Sequence, residues 1–244
     1  MPFYERDGAN IYYEEHGEGF PVLVFAPGGM RSCIPMLANM PWNPIEVLSP
    51  THRVIAMDQR NAGQSTAPVD DQDGWGKYRD DQIGLLDHLG IERCHLLGCC
   101  IGGSFILGIL EKVPERVAAA VLAQPIGKSD ENHAKFAEFF DGWAAEVKKT
   151  QPDVGEDTWR AFGERMFGGD FVYNMSRETV RTLATPMLVL MGNDLPHPSA
   201  TSREVADLAP NATLIEAWKE GDAIESAKAS MVEFLGAQTP NKIG

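Results

Sequence analysis

Positive charge is in short supply in this chain. Lys and Arg together number 21 against 35 Asp and Glu in 244 residues, a net charge of −14. Proteins that grip nucleic acid or an anionic membrane surface use clustered cations, so neither partner is expected. Long apolar runs are also missing, and no stretch reaches the length needed to cross a bilayer. The opening Met1-Pro2-Phe3-Tyr4-Glu5-Arg6-Asp7 has no basic segment followed by an apolar one. No signal peptide is read there, and a cytoplasmic location is the expectation. Cysteine is sparse: Cys33, Cys94, Cys99 and Cys100 show no C-x-x-C spacing and no disulfide framework. The adjacent Cys99 and Cys100 read as reduced thiols rather than a vicinal disulfide. Gly98 to Gly103 does not spell the G-x-G-x-x-G dinucleotide fingerprint, so no cofactor is expected, and the lack of zinc-type cysteine spacing leaves no metal expected either. Histidine also runs out early, the last of six being His197.

What is present describes one soluble α/β domain over 1–244, with 43% hydrophobic and 23% charged residues. Strands are predicted over 10–16, 21–26, 53–58, 94–99, 117–123, 187–191 and 212–217, several of them continuous apolar runs as in strands covered on both faces. Helices are predicted over 77–89, with Gly90 as its stop, and over 102–115. Residues 127–185 read as helical throughout. Phe136, Phe139, Phe140, Trp143 and Val147 fall at helical spacing, with further pieces around Trp159 to Phe162 and Ser176 to Leu183. A terminal helix carries Ile224, Ala227, Met231, Phe234 and Leu235 on one face. Strands alternating with helices predict a mostly parallel sheet.

The chemistry centres on Leu96-Leu97-Gly98-Cys99-Cys100-Ile101-Gly102-Gly103, where a strand ends and a helix opens. It has the form of a nucleophile elbow, G-x-S-x-G, with Cys100 at the serine position. Glycines two residues either side are needed where the turning backbone passes close to its neighbours.

The apolar strand into Gly28-Gly29, the Asp58-Gln59-Arg60-x-x-Gly63-x-Ser65 turn, the elbow, and Gly192-Asn193-Asp194 after a late strand occur in a specific order and spacing. In that order they resemble the α/β-hydrolase superfamily from about Tyr12 to Leu235. The resemblance implies an α/β-hydrolase fold, a mostly parallel central sheet with a small helical cap over 127–185. It also implies Cys100 as nucleophile, Asp194 as the acid, and an oxyanion hole from Ile101 with Gly28 or Gly29. Two positions depart from the pattern. Ala26-Pro27 stands where the first loop usually has His-Gly. The stretch Trp218-Lys219-Glu220-Gly221-Asp222, aligned with the usual base, has no histidine. Asp222 there reads as a helix N-cap, with Glu225 at N3.

A thiol tolerates this loss better than a hydroxyl, because its free pKa is about 8.5 and its thiolate is the reactive form. Deacylation still needs a base for water. His197, three residues past Asp194 at the strand-end edge, is the candidate, with Asp194 as its support. The competing expectation is a loop histidine held in solvent by Pro196 and Pro198. His133 in the cap could swing inward, whereas His88 and His95 read as structural and His16 and His52 as remote. Two functions follow. One is acyl transfer or hydrolysis by Cys100 on a small apolar ester, lactone or thioester. The other is a receptor-like or carrier-like member that binds a small apolar ligand without turning it over.

Overall fold

The computed structural model describes residues 3–240. Eight strands form one sheet: β1 (Phe3–Arg6), β2 (Ala9–His16), β3 (Phe20–Phe25), β4 (His52–Met57), β5 (Cys94–Cys99), β6 (Val117–Ala123), β7 (Met187–Leu190) and β8 (Ala212–Ile215). Their spatial order is β1-β2-β4-β3-β5-β6-β7-β8. The first two pairings are antiparallel, and all from β3 onward are parallel. Parallel neighbours require crossovers, and helices supply them: α1 (Pro44–Leu48), α2 (Trp75–His88), α3 (Ile101–Lys112), α4 (His133–Val147), α5 (Glu156–Phe167), α6 (Arg177–Val180) and α7 (Ser199–Leu208), while α8 (Ala223–Gln238) follows the last strand.

Strand alternation divides the core into two layers. Val22, Val24, Leu97, Cys99, Val121, Leu188 and Leu190 face one side with Trp218, Met231 and Leu235. Leu23, Phe25, Leu96, Leu122 and Val189, one residue out of step, face the other with Ile106, Leu110 and Val205. Every residue of β5, β6 and β7 is buried, as expected for strands covered on both faces, with His95 the one polar side chain among them.

The predicted strands all form, β5 and β6 with the stated bounds, and Gly90 closes α2 with a φ of +65°. The short β1, α1 and α7 are additional to the sequence reading. Two expectations need correction. Phe139 is 49% exposed while Phe136, Phe140, Trp143 and Val147 are buried, because it projects from the flank of the apolar stripe on α4. The helix predicted over 176–183 ends at Val180 as α6, and Thr182 and Leu183 close it with single-turn bonds to Thr179 and Val180.

Three loops at the carboxyl ends of the strands are braced from within. Asp58 accepts from the backbone of Ile34 and Gln64, each at 2.7 Å, which joins the loop after β3 to the turn after β4. Burial raises its pKa, and the two N–H bonds oppose that. Arg60 is 5% exposed and donates to Asp81 at 2.7 and 3.1 Å and to Asp73 at 2.7 Å, so one buried cation holds α2 and the 70–74 loop together. Between β6 and β7 the chain runs through α4, α5 and α6, with Phe136, Phe140, Trp143, Trp159, Phe162 and Phe167 packed mainly edge-on.

Candidate active site

The elbow forms because β5 runs straight into α3 with no loop between them. Cys100 sits at the junction with φ 61° and ψ −119°, a conformation that a side-chain-bearing residue adopts only under strain. Its amide donates to Ala123 at 3.0 Å, and its carbonyl accepts from Gly103 at 3.1 Å. The glycines are sterically required. A Cβ on Gly98 would lie 2.6 Å from the carbonyl carbon and oxygen of Gly102, and one on Gly102 would lie 3.0 Å from Phe25. The side chain of Cys100 is therefore pushed out at the strand ends, next to the amino terminus of α3.

The backbones of Gly28 and Ile101 both favour the ionised form of the Cys100 thiol. Of the two glycines in the first loop, Gly28 is the one whose backbone bears on the thiol's acidity. Gly29 begins a short turn and accepts the Ser32 amide at 3.1 Å. Gly28 has a φ of +118°, an angle that glycine adopts freely and other residues do not.

His197 faces the same thiol. It is 8% exposed, so the solvent-facing alternative does not hold. Its Nδ1 lies 2.5 Å from Asp194 Oδ1, and its backbone amide donates to the same oxygen at 3.1 Å. The turn is closed by amide–carbonyl contacts between the same two residues. Gly192 makes this fold-back possible, because a Cβ there would collide with the carbonyl oxygen and Cβ of His197. The other ring nitrogen, Nε2, is buried and makes no hydrogen bond. The thiol and the ring nevertheless act on each other electrostatically. Burial pushes Cys100 upward, but the His197 ring and the amides of Gly28 and Ile101 bring it below the ordinary thiol value. Burial pushes His197 downward, and Cys100 followed by Asp194 carries it above the ordinary imidazole value. The thiol is thus shifted down and the imidazole up, each toward the other.

A family model described as the alpha/beta hydrolase fold matches residues 21–178, more than half of the chain. The chain belongs to the α/β-hydrolase fold family. A 2-hydroxymuconate semialdehyde hydrolase from Pseudomonas putida is 34% identical over 126 residues, covering 50% of this chain and 42% of that protein. A zearalenone hydrolase from Cladophialophora bantiana is 32% identical over 116 residues, 46% of this chain and 42% of that protein. The matched stretches thus span less than half the length of these relatives. Among solved structures, the enol-lactonase from Burkholderia xenovorans LB400 superposes with a TM-score of 0.70 at 20% identity, covering 96% of this chain and all of that one.

Within this α/β-hydrolase frame the remaining histidines lie elsewhere. His95 is buried in β5 and bonds Thr239 at 2.9 Å. His52 begins β4 rather than lying in a loop and bonds Thr51, while His16 bonds Glu14. His88 packs on Tyr4 and Tyr13. His133 is exposed on α4 and lines a groove of about 640 Å³ between α4 and α5, whose walls include no residue of the Cys100 site. Asp222 takes the N-cap position of α8, but its side chain makes no capping bond. Cys33 lines a separate open groove with Met36 and Trp143, and all four cysteines are free. Among the described residues no group of three or more His, Cys, Asp or Glu is placed to hold a metal ion, and no helix is long and apolar enough to cross a membrane.

Two site-edge residues escaped the sequence reading. Lys219, in the stretch where a family histidine was sought, donates to Gln124 Oε1 at 2.7 Å and approaches Asp194 Oδ2 at 3.4 Å. Gln124 directly follows β6. Its position at a strand end was the available signal, because every other site residue shares that edge.

Proposed function

We propose that this α/β-hydrolase-fold protein hydrolyses small apolar esters, lactones or thioesters through a covalent intermediate on Cys100. The thiolate attacks the carbonyl carbon, and the developing oxyanion takes hydrogen bonds from the amides of Gly28 and Ile101. Collapse of the adduct breaks the acyl–oxygen or acyl–sulfur bond, and His197 gives its proton to the leaving group. The now neutral imidazole takes a proton from water as water attacks the thioester, and the acid product leaves with the thiolate restored. Asp194 holds Nδ1–H so that Nε2 faces the sulfur and the water. The helices of residues 127–185 serve as the cap over this site.

One observation carries this reading: Asp194 binds Nδ1 of the buried His197 ring at 2.5 Å and leaves Nε2 unpaired, an arrangement with which the lowered Cys100 thiol and raised His197 imidazole agree. The hydrolase names of the relatives support hydrolysis as the reaction class. The binding-only alternative drew its force from a missing base, and a histidine beside the thiol weakens that ground.

The test is time-resolved intact mass spectrometry after mixing with p-nitrophenyl acetate. The expected result is an acetyl adduct on Cys100 that forms and decays with turnover, is absent in Cys100→Ala, and persists in His197→Ala. No adduct with this ester or with bulkier aryl esters would overturn hydrolysis and favour ligand binding.

A further inference from the structure

Asp194 is not held by His197 alone. Its Oδ1 takes both the ring and the backbone N–H of His197, at 2.5 and 3.1 Å, while Oδ2 faces the Lys219 ammonium at 3.4 Å. Lys219 makes its shorter bond, 2.7 Å, to Gln124 Oε1. Gln124 is itself fixed: its φ is +39° and its amide donates to Leu190 at 2.7 Å. The stem of Lys219 leaves from Trp218, which is 1% exposed, donates its indole N–H to Met191 at 2.7 Å and packs edge-on against Trp42. A cation held this firmly differs from an ordinary surface ion pair. The Lys219 side chain keeps only 19% exposure, whereas the Asp194 side chain it faces keeps 44%.

We infer that Lys219 is a positioning residue, which pins Asp194 from the side opposite His197 and restrains the basicity of the imidazole. This rests on the proposed roles of Cys100, His197 and Asp194. The electrostatic logic has a definite sign. Asp194 and the Cys100 thiolate both favour the imidazolium form of His197. A fixed ammonium on the same carboxylate opposes it, by sharing the negative charge and by direct repulsion. The other titratable group close by is Cys99, whose thiol burial pushes up, so that it stays neutral. The restraint matters for deacylation, which needs neutral His197 to take a proton from water, more than for acylation, which uses the imidazolium. Gln124 tunes the effect, because the bond it accepts holds the ammonium partly away from Asp194.

The experiment is a titration of His197 by NMR in the ring-labelled protein, which reads its pKa whether or not any ester turns over. Lys219→Met keeps the stem on Trp218 and removes the charge. Its His197 pKa is expected to rise by about half a unit to one unit, as for removal of a like charge just beyond direct contact. Lys219→Arg is expected to stay near the parent. Gln124→Ala frees the ammonium to close on Asp194 and is expected to move His197 the opposite way, downward. If Lys219→Met does not fold, the sign of the Gln124→Ala shift decides. An unmoved titration in the folded variants, or a downward move in Lys219→Met, overturns the inference. Missing acyl adduct in the parent protein would instead overturn the hydrolytic reading and leave the titration result standing.

Discussion

Replacing His197 by alanine is expected to slow alkylation of Cys100 near neutral pH and to speed it in alkali. Burial raises the pKa of this thiol, while the His197 ring and the amides of Gly28 and Ile101 lower it below the ordinary value. Without the ring, burial is opposed by the two amides alone. An opposite charge in contact moves a pKa by about 1–3 units, so about two is a fair working figure. The thiolate fraction at pH 7 then falls about a hundredfold. A more basic thiolate is also a better nucleophile, with a slope of about 0.4–0.5, which returns about tenfold of that loss. The net effect is an alkylation rate about tenfold lower at pH 7 and about tenfold higher above the new pKa. The two rate–pH curves must cross. Iodoacetamide labelling followed by peptide mass spectrometry separates Cys100 from Cys33, the other partly exposed thiol, which burial and then Asp58 hold above the ordinary value. Curves that run parallel, or that coincide, would refute the role of the ring in setting the thiol's acidity.

Other expectations follow from the same geometry. The pH profile of kcat/KM should be bell-shaped, its acid limb below the ordinary thiol value and its basic limb above the ordinary imidazole value. Cys100→Ser should abolish the bell and leave a weak activity that rises as His197 deprotonates. Gly192→Ala should misplace the 194–197 turn and cost about a hundredfold in kcat/KM, out of proportion to its effect on the urea midpoint. Arg60→Met should cost about 3–5 kcal/mol in urea unfolding, because it strands the buried carboxylates of Asp73 and Asp81. His95 is driven down to about 4, by burial first and then by His52. The unfolded chain therefore takes up this proton first, and stability should be level above about pH 6.5 and fall by up to about 3 kcal/mol toward pH 4. His95→Leu, followed by urea midpoints at both ends of that range, should flatten the decline.

The elbow was legible in the sequence because its constraint is local. Gly98, Cys100 and Gly102 must make one turn with backbones in contact, and only glycine permits that contact, so the pattern survives in the letters. The buried strands were legible for a similar reason, since a strand covered on both faces writes itself as an apolar run. The base was harder to read. Its usual place after β8 holds no histidine, and the placement of the proposed base, His197, depends on how the turn at 194–197 folds back, which Gly192 permits but does not announce. Lys219 and Gln124 were invisible as partners because they meet from loops 95 positions apart in sequence. Phe139 misled because helical spacing places it near the apolar stripe, and only the packed neighbours decide which edge of the stripe faces water.

The proposed acid and base, Asp194 and His197, occupy one closed turn instead of two separate segments. That turn has its own tether: Asn132, fully buried at the foot of α4, donates to the carbonyls of Leu195 and Gly127, each at 2.8 Å. The sulfur, by contrast, is carried by β5 and α3 at the middle of the sheet. The two halves of the proposed reaction therefore have different mechanical supports. A disturbance of the sheet would disable the nucleophile. A disturbance at the Asn132 tether would carry acid and base away together, leaving a thiol able to accept an acyl group and unable to release it.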